Sequence, residues 1–397
     1  MRLSTRVRAI SPSPTLAIDS LTKQMQREGK DVINLSVGEP DFDTPEHIKQ
    51  AAAQAMAQGF TKYTPVAGIP ELRAAIAAKL KEDNGLEYRP EQIVVSNGGK
   101  HSLFNAFLSL CEPGDEVIIQ APYWVSYPEI VKLAGGVPVV IETTARDGYK
   151  LTPAMIEARL SPRTRLFILN SPSNPTGAVY SRAELEAIAE LAIARDLVIV
   201  ADEIYEKLVY GGATHVSIAS LSPAMRQRTV LVNGFSKAYA MTGWRMGYAA
   251  AEPDLAKAMS DLQGHSTSNP SSISQKAALA ALTGPQEPVA RMVEAFASRR
   301  DLVLEELRDL PGFELAVPPQ GAFYVFPDVS RVLGKAIAGQ TVDSAERLCQ
   351  IILAETGVSL VPGGGFGSPT CVRISYATSP KLLREAFARL KRVMSQA

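Results

Sequence analysis

The sequence predicts an α/β protein in which a mostly parallel sheet, covered by helices on both faces, is followed by a smaller α+β domain. Short apolar runs typical of strands recur along the first two-thirds of the chain, and helical patterns separate them. Strands that are apolar on both faces and alternate with helices indicate a parallel sheet with both faces covered. Beyond about residue 285 the alternation ends, and a long charged helix leads into two strands and a final helix.

The beginning of the chain is predicted to be an arm rather than a domain. It contains Pro12, Pro14, Pro40 and Pro45, a pattern too irregular for an independent folding unit. We expect this arm to lie against the body of the protein and to supply part of the small domain. The predicted organisation is an arm over residues 1–45, a large domain over residues 46–285 and a small domain over residues 286–397.

The individual elements follow from the apolar runs and from the signals between them. Between the third and fourth runs, Ser181 is a suitable helix N-cap, and Glu184 stands at the capping-box position. Two helices are predicted in the small domain, at about 285–310 and from about 380 onward. The predicted strands span residues 93–95, 116–119, 166–169, 197–200 and 230–232 in the large domain, and 321–326 and 371–376 in the small domain.

Composition and charge exclude several classes of protein. The chain has 41 Lys and Arg against 41 Asp and Glu, with none of the basic concentration expected of a nucleic-acid or acidic-membrane binder. It has neither a run of 18 apolar residues nor the apolar stretch of a secretory signal. Cys111, Cys349 and Cys371 are too few and too widely spaced for a disulfide scaffold or a Cys-type zinc site. We therefore expect a cytoplasmic protein with no nucleic-acid or membrane partner.

Several familiar catalytic motifs are missing from the sequence. The segment Gly98-Gly99-Lys100-His101 lacks the flanking glycine and the Ser or Thr of a P-loop, and no G-x-G-x-x-G or G-x-S-x-G occurs. No His, Cys or acidic cluster has the spacing of metal ligands, so no metal site is expected.

Polar and aromatic side chains follow five of the predicted strands. Because ligands of open parallel sheets bind beyond the carboxyl ends of the strands, these residues are suited to a single ligand. Taken singly, Gly98-Gly99 could be a tight turn, Trp124 part of the core and Lys237 a solvated surface residue. The five segments are Ser96-Asn97-Gly98-Gly99-Lys100-His101, Gln120-Ala121-Pro122-Tyr123-Trp124, residues 170–177, Ala201-Asp202-Glu203-Ile204-Tyr205 and residues 233–237, with Arg245 shortly beyond.

Together these motifs resemble the fold type I, class I aminotransferases, which are pyridoxal-phosphate enzymes. The matching residues are Ser171-Pro172-Ser173-Asn174-Pro175-Thr176-Gly177, Asp202-Glu203-Ile204-Tyr205, Ser236-Lys237 with Arg245 eight residues beyond Lys237, and Arg373. The resemblance is closest to the Iβ subgroup of bacterial aspartate aminotransferases, through residues 38–45, 62–64, 122–128 and 240–245. It covers almost the whole chain, and it implies a seven-stranded sheet and pyridoxal 5'-phosphate as cofactor.

The resemblance implies a role for each residue toward the cofactor. Lys237 would form a Schiff base with it and then move the substrate proton, and Asp202 would pair with the protonated pyridine nitrogen. Tyr205 would hydrogen-bond the phenolic oxygen, so that Lys237, Asp202 and Tyr205 are the expected catalytic residues. The other cofactor contacts would be Asn174 at the phenolic oxygen, Trp124 on the ring face, the backbone of Gly99 and Lys100 with Ser236 and Arg245 at the phosphate, and Tyr63 from the neighbouring subunit of a homodimer.

The same resemblance assigns the substrate contacts. Arg373 would bind the α-carboxylate through a bidentate fork that lysine cannot reproduce, helped by the backbone of Gly38 and the side chain of Asn174. Lys100 would balance the distal carboxylate of an acidic amino acid, beside Trp124. These contacts predict transamination between L-aspartate and 2-oxoglutarate. A Lys100 that faces only solvent or the phosphate is the alternative.

The arm offers further expectations about the substrate. Ser11 stands where some relatives that also accept prephenate carry a basic residue, which argues against prephenate as a substrate. Ser13 and Thr15 are expected to line the substrate end of the site. The competing functions are an aminotransferase for aromatic or other neutral amino acids, a C–S lyase on the same fold, and a cofactor-binding regulator. The regulator would need a fused DNA-binding domain, for which 397 residues leave no room.

Overall fold

The computed structural model describes residues 2–12 and 14–395, so Ser13 lies outside the described residues. Its helices are α1 (Thr5–Arg8), α2 (Pro14–Arg27), α3 (Glu46–Ala57), α4 (Pro70–Asn84), α5 (Gly99–Leu110), α6 (Tyr127–Leu133), α7 (Pro153–Glu157), α8 (Arg182–Ala194), α9 (Pro223–Gln227), α10 (Pro253–Ser266), α11 (Ser272–Thr283), α12 (Glu287–Arg308), α13 (Ala345–Thr356) and α14 (Pro380–Met394). Its strands are β1 (Ile33–Asn34), β2 (Ile93–Ser96), β3 (Glu116–Ala121), β4 (Val137–Glu142), β5 (Thr164–Asn170), β6 (Val198–Asp202), β7 (Thr229–Gly234), β8 (Gly247–Ala250), β9 (Tyr324–Val325), β10 (Ala336–Ile337), β11 (Gln340–Thr341), β12 (Val358–Ser359), β13 (Val361–Pro362) and β14 (Val372–Ser375).

Seven strands form the central sheet, in the order β2-β8-β7-β6-β5-β3-β4. Strand β8 runs antiparallel to both of its neighbours, and the other pairs are parallel. The predicted seven-stranded, mostly parallel sheet is therefore confirmed. The five predicted strands of the large domain are β2, β3, β5, β6 and β7.

Helices cover both faces of this sheet because successive side chains of each strand point to opposite sides. On one face, Val117 and Ile119 of β3 pack with Phe107 of α5. On the other, Ile118 of β3 packs with Ile188 of α8. The N-terminus of α8 has the predicted capping box, since the hydroxyl of Ser181 accepts from the backbone N–H of Glu184 and the Glu184 carboxylate accepts in return.

The register of the parallel strands determines where polar side chains meet. Asn170 at the end of β5 lies opposite Asp202 at the end of β6, and Asp202 lies opposite Val232 of β7. The carboxyl ends of three neighbouring strands therefore coincide, which places the segments that follow them around one opening.

The remainder of the chain forms the smaller α+β part that the sequence predicts. Strands β13, β14 and β9 make a three-stranded antiparallel sheet. Phe296 of α12, Ile352 of α13 and Phe387 of α14 belong to the same core cluster as this sheet. Strand β1 of the arm pairs in parallel with β12, so the arm is joined to this part by backbone hydrogen bonds. The domain boundaries at residues 45 and 285 stay a prediction.

Two further observations concern sequence expectations. The thiols of Cys111, Cys349 and Cys371 are free, and the latter two are buried. Among the described residues, every helix is too short or too polar to cross a membrane.

Candidate active site

A cavity of about 400 Å³ opens at the carboxyl ends of the parallel strands. It brings together every predicted cofactor and substrate residue except Tyr63, and Thr15 of the arm also lines it. Ser11 does not line it, and its backbone N–H donates to a carboxylate oxygen of Glu129 at 3.0 Å. The predicted residues in the cavity wall are Gly38, Gly99, Lys100, Trp124, Asn174, Asp202, Tyr205, Ser236, Lys237, Arg245 and Arg373.

Asp202 is a buried carboxylate at the end of β6, with 6% of its surface exposed. The hydroxyl of Tyr127 donates to its Oδ2 at 2.8 Å, and the backbone N–H of Ile204 donates to its Oδ1 at 3.2 Å. Burial raises the pKa of Asp202 to about 6, although both hydrogen bonds oppose that rise. A buried carboxylate of this kind is stabilised by a cation. A positively charged group bound in the cavity could supply that cation.

Lys237 reaches into the same cavity from the turn that follows β7. Its ammonium donates to the backbone carbonyl of Gly38 and lies 5.7 Å from the ring centroids of both Tyr205 and Phe323. Burial lowers the pKa of Lys237 to about 8, and the guanidinium groups of Arg373 and Arg245 act in the same direction. A larger share of this amine is therefore neutral near pH 7 than of an ordinary lysine, as a nucleophilic amine requires.

Two asparagines connect the strand ends to the segment that follows β5. The side-chain Nδ2 of Asn170 donates to the backbone carbonyl of Asp202 at 3.0 Å, and its Oδ1 accepts from the backbone N–H of Asn174 at 2.9 Å. The Oδ1 of Asn174 accepts from Arg373 at 3.1 Å, which leaves its Nδ2 as the donor available to a ligand. Opposite them, the hydroxyls of Tyr205 and Tyr324 lie 2.9 Å apart.

Arg373 of β14 is a buried guanidinium, with 3% of its surface exposed. Its Nη1 donates to Asn174, its Nη2 donates to the backbone carbonyl of Ser36 at 2.8 Å, and its Nε has no hydrogen-bond partner. The guanidinium carbon lies 4.4 Å from the ring centroid of Tyr324. Within the described part of the chain no carboxylate pairs with it, so an anion entering the cavity would supply the missing charge.

The N-terminus of α5 and Arg245 form a cradle for an anion. Gly98, the N-cap, has a φ of 85°, and a Cβ there would lie 2.4 Å from Nη2 of Arg245. A Cβ at Gly247 of β8 would lie 2.3 Å from the backbone nitrogen of Gly99. Glycine at both positions lets the guanidinium and the strand approach the helix start, where free N–H groups and the helix dipole favour a phosphate.

Lys100 and Trp124 form one wall of the cavity. The Lys100 ammonium lies over the Trp124 ring, 4.7 Å from its centroid, and Trp124 packs edge-on against Tyr127 at 5.3 Å between ring centroids. Burial lowers the pKa of the Lys100 amine, and the charge of Arg245 adds to this effect. The side chain as a whole remains exposed, so a ligand in the cavity could reach its charge without first opening the protein.

Tyr63 lies away from the cavity, and 91% of its surface is exposed. A single exposed aromatic side chain is normal on a protein surface and does not by itself identify an interface. Because Tyr63 lies away from the cavity, its predicted contact with the cofactor requires a second subunit.

The cavity also contains residues for which the sequence analysis predicted no role. Tyr127, Glu39 and Thr242 fall inside the family motifs, and Asn170 follows a predicted strand. Their positions in the sequence could therefore have indicated that they lie near the site. Tyr324 and Ser36 gave no such signal, because their contacts depend on how the smaller part packs against the sheet. The full set is Asp19, Lys23, Ser36, Val37, Glu39, Tyr127, Asn170, Ile204, Thr242 and Tyr324.

A group of potential metal ligands lies in the segment that follows β6. Glu203, Glu206 and His215 place ligand atoms within 4.8 Å of one another. The ammonium of Lys79 pairs with Glu206, and against the effect of burial it lowers the pKa of Glu206 to about 2. Nε2 of His215 lies 3.2 Å from a carboxylate oxygen of Glu203. The group is thus a buried ion network that already contains its own cation.

The model of the family described as aminotransferase class I and II matches residues 30–390. The chain belongs to this family. The resemblance stated from the sequence, to class I aminotransferases and among them to the bacterial aspartate aminotransferases, is confirmed. This membership explains why lysine, carboxylate and arginine converge on one cavity, because the cofactor that the family implies needs a partner for each of its polar groups.

Similar proteins span the whole length of this aminotransferase family member. The aspartate aminotransferase of Geobacillus stearothermophilus is 52% identical over 99% of this chain and 99% of its own. The aspartate/prephenate aminotransferase of Cereibacter sphaeroides is 50% identical over 98% of each chain. Among solved structures, the aspartate aminotransferase from Thermus thermophilus with maleate has a TM-score of 0.92 and 47% identity, over 99% of this chain and 100% of that one.

The residues of this family member fit pyridoxal 5'-phosphate. Among the described residues no ion pair neutralises the buried Asp202 carboxylate, the amine of lowered pKa on Lys237 shares its cavity, and the glycine-lined helix start with Arg245 suits a phosphate. The unpaired Nε of the buried Arg373 indicates a further anion, separate from that phosphate. The donor set therefore matches a cofactor with a pyridine nitrogen, an aldehyde and a phosphate, next to a carboxylate substrate.

Proposed function

We propose that this protein is a pyridoxal-phosphate-dependent aminotransferase that converts L-aspartate and 2-oxoglutarate to oxaloacetate and L-glutamate. The observation that carries the proposal is the meeting in one cavity of Lys237, Asp202 and Arg373, whose guanidinium has no carboxylate partner among the described residues. The names of the similar proteins support the choice of aspartate.

The proposed cofactor supplies an aldehyde and an electron-withdrawing pyridinium ring. Asp202 would hold the proton on the ring nitrogen, and Trp124 would pack on the ring face. Tyr205 and Nδ2 of Asn174 would donate to the phenolic oxygen. The backbone of Gly99 and Lys100, the side chains of Ser236 and Arg245, and Tyr63 from a second subunit would bind the phosphate.

Lys237 is the side chain that would form the covalent bond to the cofactor and transfer the substrate proton. As a neutral primary amine it would bond to the aldehyde carbon with loss of water, and once the substrate amine had displaced it, it would be free to move a proton from the substrate Cα. The backbone carbonyl of Gly38 accepts a hydrogen bond from the Lys237 ammonium and so holds it inside the cavity.

Arg373 and Lys100 decide which substrates are bound. Arg373 takes the α-carboxylate, because it lines the cavity and no carboxylate of the described residues neutralises its charge, with Gly38 and Asn174 beside it. Lys100 takes the distal carboxylate, because its ammonium lies at the Trp124 wall and is not paired with a carboxylate in the described residues. Two cations in the wall of one cavity favour a dicarboxylate.

Lys100→Ser is expected to weaken activity toward aspartate and glutamate while sparing alanine and phenylalanine. The loss in kcat/KM for acidic substrates should be about 5- to 150-fold, the range of one charge-assisted hydrogen bond of about 1–3 kcal/mol. Steady-state kinetics with all four amino donors measures the effect. Arg373→Lys is the matched control, since it should lower kcat/KM for every amino acid through the shared α-carboxylate. Equal losses for acidic and neutral donors in Lys100→Ser would show that Lys100 serves the cofactor or the fold instead.

We further propose a homodimer whose two active sites each use Tyr63 of the partner subunit. Mixing the inactive variant Lys237→Ala with a Tyr63→Phe variant should produce heterodimers in which one site has both an intact Lys237 and an intact Tyr63. We expect this mixture to exceed the summed activity of the two unmixed variants, and light scattering should give the mass of a dimer. Activity that never rises on subunit exchange would contradict the shared site.

A panel of amino donors against 2-oxoglutarate tests the function as a whole. Aspartate should be the best donor, and pyruvate release from cystathionine would indicate the C–S lyase. Prephenate belongs in the panel because the Cereibacter sphaeroides relative is named for it, although Ser11 is not basic and does not line the cavity.

The free thiols of the three cysteines support the proposed cytoplasmic location.

A further inference from the structure

Asp202 receives its only side-chain hydrogen bond within the described residues from Tyr127. The phenol oxygen is 2.8 Å from Oδ2, and 2% of Tyr127 and 6% of Asp202 is exposed. A hydrogen bond from a neutral donor to a buried carboxylate favours its ionised form, since the protonated form needs no such donor.

We propose that Tyr127 is a positioning residue that keeps Asp202 ionised and aimed at the ring nitrogen of the cofactor. It acts through Asp202 and does not itself touch the reacting atoms. This inference rests on the proposed function, because it assumes that the ring nitrogen lies at Asp202.

The position of Tyr127 suits this role, because its hydroxyl holds one of the two carboxylate oxygens of Asp202 in place. With Tyr127 on Oδ2 and the backbone of Ile204 on Oδ1, the carboxylate plane cannot rotate without losing a hydrogen bond. Tyr127 is itself fixed at the start of α6, where its backbone N–H donates to the carbonyl of Trp124 at 3.0 Å and its ring packs against the Trp124 ring. One residue thus orients both the carboxylate and the ring wall.

The charges around Asp202 make its ionisation sensitive to this hydrogen bond. Burial raises its pKa to about 6, the neighbouring carboxylate of Glu203 adds to the rise, and the ammonium of Lys237 opposes it. The phenol of Tyr205, which also faces it, is neutral because burial raises its pKa well above the usual value. Without the Tyr127 hydroxyl, a larger share of Asp202 would be protonated at pH 6 and unable to pair with a protonated ring nitrogen.

The test measures binding of pyridoxamine 5'-phosphate to the cofactor-free protein by calorimetry from pH 5 to pH 8. This form of the cofactor has an amine in place of the aldehyde, so it cannot form a covalent bond with Lys237. The remaining effect of the Lys237 charge, whose pKa is about 8, is common to the wild type and the variants and cancels in their ratio. In the wild type, affinity should fall as the pH drops through about 6 and Asp202 takes up a proton. The phosphate of the probe also titrates near pH 6, but it does so equally in every variant.

Tyr127→Phe should move this fall toward alkaline pH by about one pH unit. The ratio of wild-type to variant affinity should then be larger at pH 6 than at pH 8 by about fivefold. Tyr180→Phe is the matched control, because Tyr180 is equally buried but its hydroxyl donates to Gln120 at 2.6 Å and accepts from the backbone of Leu151. The control should retain the wild-type profile.

A ratio that is the same at every pH would overturn the proposal, because it would mean that Tyr127 only supports the fold. If Tyr127→Phe does not fold, 3,5-difluorotyrosine at position 127 decides the question. It keeps the hydroxyl and makes it a stronger donor, so the fall in affinity should move to lower pH, and an unshifted profile would overturn the proposal. A wild-type protein that binds none of the probe would instead overturn the proposed function.

Discussion

Lys237→Ala is expected to abolish transamination, with kcat at least about 10⁴-fold lower. The substitution removes both the amine that bonds to the cofactor and the base that moves the substrate proton, and proton transfer alone accounts for about 10²- to 10⁴-fold in many enzymes. Oxaloacetate formation from aspartate and 2-oxoglutarate measures the loss. The purified wild type should be yellow, and borohydride should bleach the band and attach the cofactor permanently to a peptide containing Lys237.

An exposed lysine provides the control for this variant. Lys257 of α10 pairs with Asp261 on the surface and lies outside the cavity, so Lys257→Ala should keep wild-type kinetics and the yellow colour. Turnover of aspartate by Lys237→Ala at a rate close to that of the wild type would show that another residue holds the cofactor.

Asp202→Ala is expected to cost about 3–5 kcal/mol of transition-state stabilisation, or about 150- to 5,000-fold in kcat/KM. The protonated ring nitrogen would lose its counter-charge in a site shielded from water, so kcat should fall far more than the affinity for aspartate. Comparing kcat with KM, and with single-turnover rates, separates the two effects. Near-normal turnover would mean that Asp202 has no contact with the cofactor.

Asp202→Asn distinguishes a lost charge from a damaged fold. In the cofactor-free wild type, the pKa of Asp202 is raised by burial from 3.8 to about 6. Stability contributed by this group is therefore fully present below pH 3.8 and is lost as the pH rises toward 6. Asparagine does not ionise, so the variant should lack this loss and be at least as stable as the wild type at pH 7. A protein that is stable but inactive would locate the defect in the chemistry.

The sequence predicted the cavity residues well because parallel strands end at one edge of a sheet. Asp202, Asn174 and Lys237 each follow an apolar run, and the register places the ends of those strands side by side. Tyr324 and Ser36 were not predicted, since no local pattern indicates how the smaller part will pack against the segments that follow the strands. The contacts of Arg373 with them depend on that packing.

Two other features show the limits of pattern reasoning. Strand β8 was not predicted because Gly247, Ala249 and Ala250 are poor strand formers. Gly247 and Ala249 face α5, which lies close against them, whereas Ala250 packs into the core on the other face. The ion network of Lys79, Glu206 and His215 was not predicted because Lys79 and His215 are more than 130 residues apart in the chain. Their proximity to Glu206 follows only from the fold.

The close approach of α5 to the sheet has a consequence for how this chain can vary. At Gly98 and Gly247 the space for even one methyl group is already filled, by Arg245 on one side and by backbone on the other. At Gly98 the φ of 85° also disfavours other residues, and at Gly247 the obstacle is the backbone of Gly98 and Gly99, so both constraints hold whatever the substrate. Libraries that alter substrate preference can therefore diversify the wall at Lys100 and the arm at Thr15, whereas the two glycines have to be inherited together with Arg245 as a single unit.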